Sequence, residues 1–160
     1  GEIQTIASDH GAFLREDKRD AWSGRSGFPG MATILPALMT HGVRPGRIAV
    51  ADVVRVFSAN AARIFGLHPR KGSLRPGADA DVLVVDDRTE RVVDPRALHS
   101  RSDFSIYEGQ RLTGWPTHVV SRGRVLLRDG DLVAERGWGR FLGTRQAPAP
   151  SRASAAASDA

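Results

Sequence analysis

The hydrophobic period of the chain changes once, at Gly66, and that change sets the fold class. Before Gly66 apolar residues recur at helical spacing. Val50, Val53, Val54 and Phe57 share one face of a helix over residues 49–57. After it they run together in short strands. Val82-Leu83-Val84-Val85, closed by Asp86-Asp87, has the form of a buried strand, and Arg91-Val92-Val93 that of a second. Residues 117–121 and 125–127 flank Arg122-Gly123-Arg124, a hairpin pattern that Leu132-Val133-Ala134 continues beyond Gly130. The chain is therefore of the α/β class, with a helical front half and a small β unit behind it.

The front half carries one unusual feature. Ile3-Gln4-Thr5-Ile6-Ala7 reads as a strand, and a polar loop runs from Ser8 to Gly30. Connections in compact domains are usually only about 4–6 residues, and longer loops tend to carry function. Residues 31–40 are apolar and helical, with Pro36 either kinking that helix or marking a later start. Gly42 is a stop signal. Ser58 is placed to cap a last helix over residues 59–65, which Gly66 ends. The first residue is not Met and a strand follows at once, so further sequence is expected upstream.

Composition narrows the function. The 160 residues are too few for a complete (β/α)8 barrel, which takes roughly 250 residues. Hydrophobic residues make up 41%, which excludes wholesale disorder. No stretch approaches the roughly 20 apolar residues of a membrane span, and no signal-peptide pattern opens the chain. Cys is absent, which excludes disulfides, thiolate metal sites and a cysteine nucleophile. A cytoplasmic location and no membrane partner are expected. The net charge is +5, but the basic residues stand singly among Asp and Glu, and aromatics are only 6%. Nucleic-acid modules cluster their cations or interleave stacking aromatics, so no nucleic-acid partner is expected. From Gln146 onward Ala, Pro and Ser dominate, and residues 143–160 are expected to form a disordered tail.

Two segments hold candidate chemistry. Asp9-His10 follows the first strand directly, where a carboxylate serves as metal ligand or general base, or simply caps a turn. Ser26-Gly27-Phe28-Pro29-Gly30 precedes a helix, and free N–H groups there hold an anion or a carbonyl oxygen unless the segment is an ordinary helix entry. It is not a P-loop, because no Gly-Lys-Ser/Thr follows. None of the five His forms His-x-His or His-Glu-x-x-His, and Ser8 lacks the glycine-flanked elbow of a hydrolase nucleophile.

Six segments in order resemble one family. Ile6-Ala7-Ser8-Asp9-His10-Gly11-Ala12-Phe13 is similar to the end of the eighth barrel strand of cyclic amidohydrolases, a group of hydantoinases, dihydropyrimidinases, dihydroorotases and allantoinases. Ser26-Gly27-Phe28-Pro29-Gly30-Met31-Ala32-Thr33 resembles the segment before their last barrel helix. Ser58-Ala59-Asn60-Ala61-Ala62-Arg63-Ile64-Phe65-Gly66-Leu67 resembles their Asn-Pro-Ala-Lys-Ile-Phe-Gly-Leu stretch, with Ala61 in place of Pro. Pro69-Arg70-Lys71-Gly72 with Gly77-Ala78-Asp79-Ala80-Asp81-Val82, then Tyr107-Glu108-Gly109, then Gly114-Trp115-Pro116 with Arg122-Gly123, continue in register.

The resemblance implies an organisation and a site. Residues 1–66 would be the last strand, active-site loop and closing helices of a metal-dependent (β/α)8 TIM-barrel hydrolase. Residues 67–142 would be the C-terminal part of its small β-sandwich domain. The family binds two divalent metal ions, usually zinc, sharing a hydroxide that attacks a cyclic amide carbonyl. Asp9 matches the metal-binding Asp that passes a proton to the leaving nitrogen. Ser26 and Gly27 match the loop whose backbone holds substrate. Phe13 stands where dihydroorotases carry a carboxylate-binding His, so a hydantoin or dihydropyrimidine ring is the expected substrate. Trp22-Ser23-Gly24 keeps allantoinase open, and a catalytically inactive scaffold relative is the alternative of a different class. The family's remaining metal ligands lie upstream of this segment, so the 160 residues alone are expected to be inactive, and the full protein is expected to be a homo-oligomer, often a tetramer.

Overall fold

A computed structural model describes residues 2–143, so the expected tail lies, from residue 144 onward, outside the described residues. The first helix, α1 (Ile34–Leu38), begins later than Met31. The Gly30 carbonyl accepts the N–H groups of both Thr33 and Ile34, at 3.2 and 3.0 Å, which makes residues 31–33 a turn. Pro36 is thus the third helical residue, where its missing N–H leaves no bond unmade. Gly42 does not stop the run. The helix passes through it as a π-helical turn, Met39–Val43, closed by the Arg44 N–H on the Met39 carbonyl at 2.9 Å. A Cβ on Gly42 would stand 2.7 Å from Ile48 Cδ1, so the position serves close packing.

The second helical run is continuous where two helices were expected. It passes through α2 (Val50–Val54), a π-helical turn at Arg55–Ala59 and α3 (Asn60–Ile64). Asp52 caps its start by accepting the Ala49 N–H at 3.1 Å. Ser58 is no cap; it lies inside the π-helical turn. The end is as expected. Gly66 adopts φ 67°, its N–H reaches the Arg63 carbonyl at 3.1 Å, and the Leu67 N–H reaches the Ala62 carbonyl at 2.8 Å. That is the Schellman pairing, which needs a left-handed residue at this point.

Among the described residues six short strands follow: β1 (Val82–Asp86), β2 (Arg91–Val92), β3 (Arg111–Leu112), β4 (Trp115–Ser121), β5 (Arg124–Arg128) and β6 (Asp131–Leu132). Four form an antiparallel sheet in the order β1-β4-β5-β6, and β2 pairs with β3 as a separate ribbon. Both tight hairpins follow from local chemistry. Arg122-Gly123 and Asp129-Gly130 each place two consecutive residues at positive φ, the requirement of a type I′ turn. The strand expected at residues 3–7 has no ladder. The Ile6 N–H reaches the Val56 carbonyl at 3.2 Å and the Gln4 carbonyl accepts from Asn60 Nδ2 at 3.0 Å, but no strand lies beside the segment among the described residues. Nor is β1 buried as expected. It is an edge strand, and Leu83 and Val84 are half exposed.

The core sits at the junction of the helices and the ribbon. Leu112, Val93, Thr33 and Pro36 are its most deeply buried side chains. Thr40 Oγ1 accepts the Thr113 N–H at 2.8 Å, and Arg44 pairs with Glu90 at 2.6 Å. These contacts seat the end of the first helical run against β3. A second tie joins the turn after α3 to the sheet. Lys71 binds Asp79 at 2.9 Å and also Asp81, whose other oxygen accepts the Arg122 N–H at the hairpin tip, 2.8 Å.

Candidate active site

Asp9 lies where the extended segment 3–8 ends, and its backbone is left-handed, φ 47°. A non-glycine residue there costs about 1–2 kcal/mol, and Asp is among the few that tolerate it. The surroundings hold it in place. The Phe28 N–H donates to the Asp9 carbonyl at 3.2 Å, and the Gly11 N–H donates to the Phe28 carbonyl at 3.0 Å. His10 and Phe28 form a single parallel bridge. Gly27, at φ 90°, faces this clamp, and a Cβ on it would stand 2.9 Å from the Asp9 carbonyl oxygen. A side chain at position 27 would wedge the two strands of the clamp apart.

The structure thus brings all three sequence-designated residues to one place, with Asp9 beside the Ser26-Gly27 segment. The Asp9 side chain is exposed and has neither a hydrogen bond nor an ion pair among the described residues. Ser26 is exposed, and the N–H groups of Ser26 and Gly27 likewise have no partner among the described residues. The site therefore presents an unengaged carboxylate next to two unengaged backbone donors. No three His, Cys, Asp or Glu side chains converge as a metal site among the described residues. Asp9 offers one ligand, and the described residues do not hold an ion by themselves.

The loop between the two halves of the clamp is anchored at several points. Its short 3-10 turn, Arg15–Lys18, is pinned where the Arg15 N–H donates to Asp103 at 2.7 Å and its guanidinium pairs with Glu108 at 3.1 Å. Asp20 accepts from the Trp22 N–H at 2.9 Å and the Ser23 hydroxyl at 2.5 Å, and these donors hold its carboxyl below the ordinary carboxylate range. Trp22-Ser23 is therefore an Asx-type turn, and the Trp22 side chain projects into solvent, 98% exposed. The Lys18 ammonium donates to the carbonyls of both Arg25 and Gly27. Phe13 lies between Lys18 and Arg25, 5.1 and 5.6 Å from its ring centre. Beyond the loop, the Met31 N–H donates to His10 Nδ1 at 3.3 Å.

Comparison with known proteins places the chain in a family. The family model described as "Amidohydrolase family" matches residues 1–126, most of the chain. The chain belongs to the amidohydrolase family. It is 36% identical over 149 residues to an L-hydantoinase of Paenarthrobacter aurescens, covering 91% of this chain and 32% of that protein. It is 37% identical over 147 residues to a D-phenylhydantoinase of Escherichia coli O1:K1, covering 89% of this chain and 32% of that one. Its structure is similar to a D-hydantoinase (dihydropyrimidinase) from a Thermus species, with TM-score 0.82 at 35% identity, covering 86% of this chain and 31% of the other. This amidohydrolase chain thus spans about a third of the length of the curated relatives it matches. No helix of the described residues is long and apolar enough to cross a membrane.

Sequence reasoning did not single out Lys18 and His10, which the structure places at this candidate site. His10 had adjacency to Asp9 as its only signal. Lys18 had a better one, since it is one of only two Lys among 23 basic residues.

Proposed function

We propose that the protein carrying this chain hydrolyses a cyclic amide or ureide C–N bond of hydantoin or dihydropyrimidine type, giving an N-carbamoyl amino acid. The observation that carries this reading is the unengaged Asp9 carboxylate on a left-handed backbone, held beside the free N–H groups of Ser26 and Gly27. Held strain beside unsatisfied polar groups is a feature of functional sites. Similarity to hydantoinases named for both enantiomeric types supports the substrate class.

In this reading residues 1–66 form the end of a barrel and residues 67–142 part of a small β domain. Asp9 would be one ligand for the divalent metal ions that the resemblance implies, zinc among them, with the other ligands supplied by the rest of the protein. Bound metal lowers the pKa of coordinated water toward neutrality. The chain's own contribution is narrower. Backbone groups of Ser26 and Gly27 orient the ring, a contact that does not depend on the Ser26 side chain. The Asp9 carboxylate would take up the proton of the attacking water and return it to the leaving nitrogen as the ring C–N bond breaks.

The test uses the full-length protein with hydantoin, dihydrouracil, allantoin and dihydroorotate. Turnover of hydantoin or dihydrouracil is expected, and Asp9→Ala should lower kcat by at least about 100-fold, the scale of general acid–base catalysis, while expression is unchanged. Near-normal turnover in Asp9→Ala removes Asp9 from the mechanism. Turnover of dihydroorotate alone overturns the substrate class.

A further inference from the structure

We propose that Lys18 is a positioning residue that sets the donor strength and the place of the substrate-binding backbone; the proposal rests on the reading of Ser26 and Gly27 given above. The Lys18 ammonium touches two carbonyls, those of Arg25 and Gly27, and makes no ion pair among the described residues. Each carbonyl shares its peptide plane with a group at the site. The Arg25 carbonyl belongs to the same peptide as the Ser26 N–H, one of the two free donors. The Gly27 carbonyl belongs to the same peptide as the Phe28 N–H, which donates to the Asp9 carbonyl at 3.2 Å.

A peptide whose carbonyl binds a cation is polarised, and its N–H becomes a stronger donor. One ammonium therefore acts at two points. It strengthens the free Ser26 N–H, and it strengthens the hydrogen bond that holds Asp9 to the loop. It also fixes the spacing, because a single nitrogen holds the two carbonyls that bracket the Ser26-Gly27 segment. The Phe13 ring, 5.1 Å from Lys18 Nζ, supplies a second face for the charge. Polarised dipoles and an aromatic face take the role that a carboxylate partner would usually play for this ammonium.

An ammonium suits this geometry better than a guanidinium. It is a compact point charge with three donors, whereas the guanidinium spreads its donors over a plane. That accounts for a lysine at this position in a chain with 21 Arg.

The experiment compares the full-length protein with Lys18→Met and Lys18→Arg, reading steady-state kinetics on hydantoin or dihydrouracil and amide exchange at Gly11 and Phe28. Lys18→Met is expected to raise KM at least about tenfold, the effect of losing hydrogen bonds from a charged donor, while kcat stays within about threefold. Exchange at Gly11 and Phe28 should accelerate by a similar factor while that of β4 is unchanged, which also shows that the variant is folded. Lys18→Arg should give the same pattern at smaller size. Unchanged KM, or a fall in kcat alone, overturns the proposal. A parent protein inert toward every ring overturns the functional reading instead, and unchanged exchange at Gly11 and Phe28 then overturns the role of Lys18 independently.

Discussion

Gly27 shows how closely the site depends on one residue. Its φ of 90° is costly for any side chain, and a Cβ there would meet the Asp9 carbonyl oxygen at 2.9 Å. Gly77 has the same φ but nothing within 4 Å of its Cβ position, so it separates strain from collision. Gly77→Ala is expected to lower the unfolding free energy by about 1 kcal/mol from backbone strain alone. Gly27→Ala should lose more, by about 1–3 kcal/mol further, because the obstacle is backbone and does not swing aside. Urea unfolding of the two variants checks this, and equal losses would mean that the clamp gives way freely. Asp9 and the Ser26-Gly27 segment were legible in the sequence through their order and spacing in a family pattern. The Lys18 contacts were not, since no local rule says which carbonyls a lysine stem reaches. The same is true of the other lysine. Lys71 is the least exposed partner of its cluster and again sits between oxygens, those of Asp79 and Asp81.

Elements were legible where their determinants are local. The Gly66 helix end and the Arg122-Gly123 turn depend on residues within one turn of the chain, and both formed as read; the Asp129-Gly130 turn is local in the same way. Residues 3–7 failed as a paired strand because pairing needs a neighbour that the segment itself does not specify. Ser58 failed as a cap because the π-helical turn carries the helix past it, and no sequence rule used here marks such a turn. The tie made by Lys71 is also non-local, and its pH dependence tests it. Burial pushes the Asp81 carboxyl up, but Lys71 and the Arg122 N–H outweigh it, and Asp79 is lowered chiefly by Lys71. Both carboxyls therefore titrate below the ordinary 3.8. Their contribution is whole above that pH and is lost as the pH falls through the folded values, because the unfolded chain binds protons first. Burial lowers the Lys71 ammonium, but Asp81 and Asp79 outweigh it and raise it above 10.5, so its contribution is whole below that pH. Lys71→Met should then cost about 1 kcal/mol at pH 7, with the deficit shrinking as the pH is lowered toward 2. Urea unfolding across that range measures it, and a deficit constant with pH would remove the charge from the explanation.

At the scale of the molecule the apolar surface is out of proportion to the core. Among the described residues the buried hydrophobic core is Ala37, Val53, Ala62, Val93 and Leu112, while Ile3, Leu74 and Phe141 are 71, 77 and 96% exposed. The second helical run shows the same imbalance. Val53 and Ala62 face the core, yet Val50, Val54, Ile64 and Phe65 are more than half exposed, so the helix carries a second apolar stripe. Beside α1 an open cavity of about 350 Å³ is lined by Ile6, Ala7, Ile34, Ala37, Leu38 and Tyr107. Large apolar patches on a folded surface mark places where other protein packs. This agrees with a chain that aligns to about a third of the length of its relatives, and with the proposed function, in which further metal ligands come from outside this segment. Prepared by itself, the 160-residue chain is therefore expected to bind a hydrophobic dye strongly, to self-associate on size exclusion, and to hydrolyse neither hydantoin nor dihydrouracil with or without added zinc. The full-length protein should be dye-silent under the same conditions. A monodisperse, dye-silent 160-residue monomer would mean that these faces are satisfied internally. Zinc-dependent turnover by it would mean that Asp9 finds its metal partners within this chain.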